Sequence, residues 1–321
     1  MDDREPEIRF DPFTGASVIV AAGRRSISRA PAPAPSLPSP PGRCPFCPEH
    51  EDDTEVVTHE ERGADGRWLV RVVRNRFPLV RPDLPLARGE HEVIVETPEH
   101  DADLTTLGAA QLARVLRVYR HRVRALSERP GAAAVVLFRN RGRSAGSSQP
   151  HPHAQVVSLP MVPQELELRA ARAASVYRER GVSVLSAALE EERRAQVRVV
   201  SDEAGWLVHC PFASARAFET RLAPTFECER FAALQDAQLD TLAAALGPVL
   251  RAHADVSGSA EYNLVVREPA LALRQGSYFV IDIISRHGGR AGFELGAGTH
   301  VCTVAPEQCA ASLRERLAQG E

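Results

Sequence analysis

Residues 138–157 read FRNRGRSAGSSQPHPHAQVV, and this stretch decides how the rest of the chain is interpreted. Alternate side chains of an extended strand share a face, so His151, His153 and Gln155 are predicted to project together. The small residues 145–148 just before them offer backbone N–H groups and hydroxyls that suit phosphate oxygens. A polar, solvent-facing strand is the alternative, because short motifs also match by accident.

The composition is that of an ordinary globular protein. The chain has 321 residues, a net charge of −3 and 25% charged residues, so no positive field favours nucleic acid or an anionic membrane. Every basic residue is arginine, which excludes a lysine Schiff base or P-loop cation. No apolar run approaches the roughly 20 residues of a membrane span, and the N-terminal sequence lacks a signal-peptide core. We therefore expect a cytoplasmic protein with reduced thiols.

The same order of elements occurs twice along the chain, with strands on both sides of one long helix. In the first copy we predict strands at 68–73 and 91–96, a helix at 104–126, and strands at 134–140 and 153–159. In the second copy we predict strands at 205–210 and 218–222, a helix at 236–253, and strands at 262–267 and 278–284. Strands that come in runs, rather than in strict alternation with helices, indicate an α+β fold.

Cys44 and Cys47 have the C-x₂-C spacing that allows two thiolates to coordinate one metal ion. Paired cysteines in a reducing compartment are interpreted first as metal ligands. No second C-x₂-C pair follows, so other residues have to complete a tetrahedral site. His50 continues the same spacing and is the local candidate for the third ligand.

Several motifs, in the same order along the chain, resemble those of galactose-1-phosphate uridylyltransferases and related sugar-phosphate nucleotidyltransferases. These form the transferase branch of the histidine triad superfamily. The motifs are DPFTGASVIVAAGR at 11–24, CPFC at 44–47, VRNRFP at 73–78, GEHEVIVETPEH at 89–100, AGSSQPHPHAQ at 145–155 and RAGFE at 290–294. The resemblance covers most of the chain.

This resemblance implies two tandem histidine-triad-like units with antiparallel sheets and flanking helices. The first, residues 1–160, would hold a zinc site and the catalytic motif, and residues 161–321 would be a degenerate copy. It also implies nucleotide-sugar and sugar-phosphate substrates and a homodimer. Together with the charge and hydropathy, the expectation is an enzyme without nucleic-acid or membrane partners.

The implied chemistry centres on His153. Its imidazole would attack the α-phosphorus of a nucleotide-sugar and form a covalent nucleotidyl-histidine, from which a second phosphate takes the nucleotide. Gln155 would donate its amide N–H to a non-bridging phosphoryl oxygen. The nucleotide- and phosphate-binding residues that the resemblance implies are Arg24, Asn75, Arg76, Phe77, Asn140, Ser147 and Ser148.

The same relatives complete a structural zinc site with histidines that match His100 and His151. With Cys44 and Cys47 these make a closed Cys₂His₂ set, and we favour His100 over His50 as the third ligand. Zinc would then fix the strand that carries the nucleophile, an orienting role rather than Lewis-acid chemistry.

The sequence also departs from the family pattern. Many relatives carry a second H-x-H, but here Tyr278-Phe279-Val280 precedes Ile281-Asp282-Ile283, so one catalytic centre is expected. The arginine spacing after the first strand and the segment 293–299 do not match galactose-specific members closely, which leaves the acceptor open. Two alternatives therefore stay open: a phosphorylase or hydrolase that uses the same histidine, and a non-catalytic, zinc-stabilised nucleotide-binding protein.

Overall fold

The computed structural model describes residues 5–22, 44–273, 276–286 and 291–320. Up to residue 159 the elements are β1 (Glu7–Phe10), β2 (Ser17–Val20), a 3₁₀ helix (Pro48–Asp53), β3 (Val57–Arg62), β4 (Trp68–Arg74), β5 (Glu90–Val95), α1 (Ala109–Ser127), β6 (Ala134–Arg141) and β7 (His153–Leu159). From residue 164 they are α2 (Gln164–Arg180), α3 (Val184–Ala195), β8 (Val199–Glu203), β9 (Trp206–His209), β10 (Thr220–Pro224), a 3₁₀ turn (Phe231–Ala233), α4 (Asp236–Ser257), β11 (Tyr262–Arg267), β12 (Val280–Ser285), α5 (Gly292–Ala297), β13 (His300–Cys302) and α6 (Pro306–Ala318).

Ten strands form one antiparallel sheet in the order β3-β4-β5-β7-β6-β11-β12-β10-β9-β8. The order is symmetric about its centre, because each strand of the first half has a counterpart at the same distance from the middle in the second half. The two halves join where β6 pairs with β11, with Asn140 opposite Asn263. A smaller sheet, β1-β2-β13, brings both ends of the described chain together. The predicted α+β fold of two tandem units is thereby confirmed, while their boundary near residue 160 stays a prediction.

The two long helices α1 and α4 cover one face of the large sheet and create its main core. Positions 112, 115, 116, 119 and 123 of α1 are all buried, which is the i, i+3, i+4 spacing of an apolar helix face. Each buried Leu or Val there contributes about 1.5–3 kcal/mol. None of the helices in the described ranges is long and apolar enough to cross a membrane.

Helix α1 begins at Ala109 rather than at the predicted position 104. The preceding residues close a turn instead, because the Asp103 carboxylate accepts a hydrogen bond from the Thr105 backbone N–H at 3.1 Å. The same carboxylate is bound by Arg139 at 2.8 Å, which holds the turn against the sheet. Gly108 then precedes the first helical residue without a side-chain cap.

The opposite face of the sheet differs between the halves. Under the second half it is covered by α2 and α3, whose apolar residues pack on Leu207, Ala223 and Val280. Under the first half it borders an open cavity. Strand β7 contributes to both faces of the sheet, because Ala154 and Val156 are buried in the main core while His153 and Gln155 face the cavity.

Candidate active site

The cavity has a volume of about 500 Å³ and lies over β4, β5, β6 and β7. The predicted site residues that line it are Asn75, Arg76, Phe77, Asn140, Ser148, His153 and Gln155. Ser147 is adjacent to these residues, but its hydroxyl makes a hydrogen bond within the loop, donating to the Gln149 carbonyl at 2.7 Å. Arg24 lies outside the described residues. The sequence-predicted residues from three separate stretches therefore meet around one cavity.

The His153 ring has its Nδ1 hydrogen-bonded to the backbone, while its Nε2 points away from the strand. A carbonyl oxygen can only accept, so the 2.8 Å contact between Nδ1 and the His151 oxygen puts the proton on Nδ1 and the lone pair on Nε2. Burial lowers the pKa of His153 to about 4, so the imidazole is neutral near pH 7. The Phe46 ring packs beside it with the centroids 5.4 Å apart. A neutral imidazole with a free lone pair is the form that acts as a nucleophile.

Gln155 lies two residues further along the same face of β7. Its Oε1 is 2.9 Å from Nε2 of His91 and 3.4 Å from Nδ2 of Asn75. His91 is 6% exposed and lies on the neighbouring strand β5. His91 was not among the site residues predicted from the sequence. The alternation of His91 and Val93 on a strand adjacent to β7 was the signal that could have placed it on the cavity face.

The loop between β6 and β7 is held by residues of the second half of the chain. Glu261 accepts from the backbone N–H groups of Arg143 and Ser144 at 3.0 and 3.2 Å. Asn263 donates its amide to Asn140 Oδ1 at 2.8 Å and to the Ala145 carbonyl at 2.9 Å. Local sequence pattern could not reveal these contacts, because they depend on the long-range pairing of β6 with β11.

Gly142 begins this loop and tolerates no side chain. Its φ is +86°, in the left-handed region, and a Cβ there would lie 2.3 Å from the Glu261 Cγ. Glycine at this position therefore lets the Glu261 side chain approach the loop backbone closely.

Four potential metal ligands converge next to the start of β7. The ligand atoms of Cys44, Cys47, His100 and His151 all lie within 4.8 Å of one another. Both histidines present Nδ1 to the sulfur atoms, with Nδ1–Sγ distances of 3.3, 3.6 and 3.7 Å. His50 is not among them, and its backbone N–H donates to the Cys47 carbonyl at 3.0 Å.

The geometry of this cluster fits a tetrahedral cation. Bonds of about 2.3 Å to sulfur and 2.0–2.1 Å to nitrogen place those atoms about 3.6 Å apart at the tetrahedral angle. The Nε2 of His151 contacts the Thr97 carbonyl at 2.8 Å, so its proton is on Nε2 and the Nδ1 lone pair faces the thiols. The donor set and its second-layer hydrogen bond could hold a divalent metal ion such as Zn²⁺.

Comparisons with known proteins agree with this arrangement. A family model described as galactose-1-phosphate uridyl transferase, N-terminal domain, matches residues 83–163. An ADP-glucose phosphorylase of Arabidopsis thaliana is 25% identical over 335 residues, which span 98% of this chain and 94% of the relative. A galactose-1-phosphate uridylyltransferase of Thermotoga maritima is 27% identical over 234 residues, 68% of this chain and 66% of the relative.

Solved structures extend the similarity to the whole fold. The crystal structure of an ADP-glucose phosphorylase from Arabidopsis thaliana with bound ADP-glucose superposes with a TM-score of 0.86 at 26% identity, covering 97% of this chain and 99% of that one. A uridylyltransferase structure gives a TM-score of 0.76 at 28% identity, covering 98% and 99%. The fold and the motif define an enzyme of the histidine-triad transferase type. The resemblance to the galactose-1-phosphate uridylyltransferase family that the sequence motifs indicated is confirmed by these comparisons.

Proposed function

We propose that this protein transfers a nucleoside monophosphate from a nucleoside diphosphate sugar to a phosphate-bearing acceptor through a covalent nucleotidyl-histidine at His153. The observation that carries the proposal is the free Nε2 of His153 beside a cavity of about 500 Å³, with Nδ1 tied to the His151 carbonyl. A protein that only binds nucleotides has no need for a neutral, oriented imidazole at that position.

Two displacements at one phosphorus make up the reaction. In the first, the His153 Nε2 lone pair forms a bond to the α-phosphorus, the bond to the bridging oxygen breaks, and the sugar 1-phosphate leaves. In the second, an acceptor phosphate oxygen bonds to the same phosphorus, the P–N bond breaks, and its electron pair returns to Nε2. Gln155 stabilises the charge on the non-bridging oxygens in both steps by donating an N–H.

The acceptor separates two versions of this function. A sugar 1-phosphate acceptor makes the protein a uridylyltransferase-type enzyme that exchanges one sugar for another. Inorganic phosphate makes it a phosphorylase that releases a nucleoside diphosphate. The Arabidopsis ADP-glucose phosphorylase, similar along 98% of this chain, favours the second version.

We also propose that Zn²⁺ is the ion held by Cys44, Cys47, His100 and His151. When bound, zinc would supply a closed Cys₂His₂ link between the segment before β3, the loop after β5 and the start of β7. His151 precedes the nucleophile by two residues, so this link would fix the position of His153.

The covalent step is tested by incubating the protein with ADP-glucose or UDP-glucose labelled with ³²P at the α-phosphate. After denaturing quench, we expect label on the chain that is stable in base and released by acid. His153→Gly should carry none, whereas His121→Gln, a histidine on α1 outside the cavity, should be labelled like the wild type. No label on the wild-type chain with either sugar nucleotide, while binding persists, would refute the proposal.

The acceptor is identified by a chase of the labelled protein. Inorganic phosphate should release labelled nucleoside diphosphate if the protein is a phosphorylase. Glucose 1-phosphate or galactose 1-phosphate should instead release labelled sugar nucleotide if it is a transferase. Release of nucleoside monophosphate in buffer alone, as fast as with either acceptor, would indicate a hydrolase and contradict both versions.

A further inference from the structure

His91 lines the cavity and contacts the side-chain oxygen of Gln155. The ring lies between Gln155 on β7 and the loop that follows β4, and it is almost fully buried. Its Nδ1 is 3.0 Å from the Leu79 backbone nitrogen, and its Nε2 is 2.9 Å from Gln155 Oε1. One imidazole thus connects the loop after β4 with strand β7.

These two contacts fix the tautomer of His91. A backbone N–H can only donate, so Nδ1 of His91 carries the lone pair that accepts from Leu79. Burial lowers the pKa of His91 and keeps the ring neutral, so its single proton is on Nε2. That N–H donates to the Gln155 oxygen.

Asn75 supplies a second donor to the same oxygen. Its own Oδ1 accepts from the Phe77 backbone N–H at 2.8 Å, which places its Nδ2 3.1 Å from His91 Nε2 and 3.4 Å from Gln155 Oε1. Because both nitrogens carry protons, neither accepts from the other, and the Gln155 oxygen is the acceptor that they share. Two independent backbone N–H groups, at Leu79 and Phe77, therefore dictate which atoms face Gln155. Both atoms are donors, and both converge on the carboxamide oxygen.

We propose that His91 is a positioning residue that holds the Gln155 carboxamide with its oxygen inward and its NH₂ group toward the transferring phosphoryl group. The inference rests on the proposed function of His153. A glutamine amide turned by 180° would place an oxygen where the phosphoryl oxygens need a donor, and little in its shape prevents that turn. The His91 proton removes this ambiguity, because the turned amide would set its NH₂ against the Nε2–H.

Three substitutions separate the two hydrogen bonds of the ring. H91Q places an amide nitrogen near the position of Nε2, so it keeps the donor to Gln155 and loses the acceptor for Leu79. H91N places an oxygen near the position of Nδ1, so it keeps the loop contact and loses the donor to Gln155. H91F fills the space and loses both.

The readout is the single-turnover rate of label formation at His153, with the dissociation constant of the sugar nucleotide measured in parallel. We expect H91N and H91F to label about 10- to 100-fold more slowly with a much smaller change in binding. H91Q should label within about threefold of the wild-type rate. A thermal melt of each variant confirms that it is folded.

The reverse order, with H91N faster than H91Q, would show that His91 serves only the loop and would overturn the proposal. Equal rates for all three variants would overturn it as well. In a Q155A background, H91N should slow labelling no further, and an additive loss there also contradicts the proposal. If the wild-type chain is not labelled at all, the proposed function fails instead, so the two failures are distinguishable.

Discussion

His151 lies two residues before His153, the first residue of β7, yet backbone carbonyls leave opposite ring nitrogens of the two imidazoles available. The Thr97 oxygen binds Nε2 of His151 and leaves Nδ1 for the thiols. The His151 oxygen binds Nδ1 of His153 and leaves Nε2 for the cavity. The division of labour between the two imidazoles is therefore set by which ring nitrogen meets a carbonyl, not by the residue type.

The metal-binding proposal leads to a prediction about single cysteines. Cys44→Ser removes one thiolate from a four-atom set, so we expect zinc content to fall well below one ion per chain and the melting temperature to drop by about 5 °C or more. Elemental analysis of the purified protein and thermal unfolding measure the two effects. A chelator should lower the melting temperature of the wild type and leave that of the variant nearly unchanged.

Cys228→Ser is the matched control for this prediction. The Cys228 thiol donates to the Arg230 carbonyl at 3.2 Å and lies in the second half of the chain, and a serine hydroxyl can make the same bond. Its zinc content should equal that of the wild type. Equal zinc contents in Cys44→Ser and Cys228→Ser would contradict the proposed ligand set.

At the scale of elements, strands β5 and β6 and helix α1 are joined by buried charges. Arg139 is 1% exposed, and its guanidinium binds Glu96 at 3.0 Å and Asp103 at 2.8 Å. Tyr119 of α1 donates its hydroxyl to the same Glu96 carboxylate. Glu96 directly precedes Thr97, so this cluster also supports the carbonyl that orients His151.

Arg139→Met should be strongly destabilising because it leaves two carboxylates buried next to each other. Breaking one partner of a buried ion pair costs about 3–5 kcal/mol, and we expect a loss of that size in urea unfolding. Arg141→Met is the control, since Arg141 binds Asp103 at 2.8 Å but its side chain is 35% exposed. Its loss should be about 1 kcal/mol or less.

A second substitution checks the cause of the Arg139→Met effect. Burial already raises the pKa of Glu96, so without Arg139 its charge is the costly group. Adding Glu96→Gln to Arg139→Met should therefore recover part of the lost stability. If the double variant is less stable than Arg139→Met alone, the loss comes from packing rather than from the uncompensated charge.

The elements that sequence pattern predicts well are those with an uninterrupted periodicity. Strand β7 was predicted at 153–159 and β11 at 262–267, and both have these bounds. The start of α1 was wrong by five positions, because the Asp103 turn depends on a partner on β6 that local pattern does not reveal. The second-half strand predicted from Tyr278 begins at Val280 instead.

The part of the candidate site that lies on a regular strand was also predictable from the sequence pattern. Alternation along β7 places His153 and Gln155 on one face, and the structure has both at the cavity. The roles of Asn75, Arg76 and Phe77 came from resemblance, since nothing in residues 73–78 alone indicates a nucleotide. His91 and Asn263 were missed because each acts across a strand pair whose partner is distant in sequence.

At the scale of the whole molecule, the two halves of the symmetric sheet differ in what covers their equivalent faces. Where the first half has its cavity, the second half has Asp282, fully buried between Arg221 at 2.7 Å and Arg267 at 3.0 Å. Helices α2 and α3 cover that face with apolar side chains. Ion pairs and apolar packing thus occupy, in the second half, the position that the cavity has in the first half.

Residues of the second half instead hold the loop between β6 and β7 of the first half. Glu261 just before β11, Asn263 on β11 and Arg286 after β12 contact residues 140–145. Each such hydrogen bond contributes about 0.5–1.5 kcal/mol, enough in sum to order a short loop. We expect Asn263→Ala to slow label formation at His153 by about tenfold, because two hydrogen bonds worth about 1 kcal/mol each are lost from the loop and from Asn140.

Val265→Ala is the control that distinguishes loop support from general weakening of β11. Val265 lies on the same strand face as Asn263, two residues further from the loop, and pairs with Phe138 across the junction of the halves. The valine side chain has no polar atom, so it cannot hydrogen-bond to the loop. Its truncation should therefore lower stability slightly and change the labelling rate by less than about twofold. Equal slowing by the two variants would mean that the junction as a whole, and not the Asn263 amide, sets the geometry of the loop between β6 and β7.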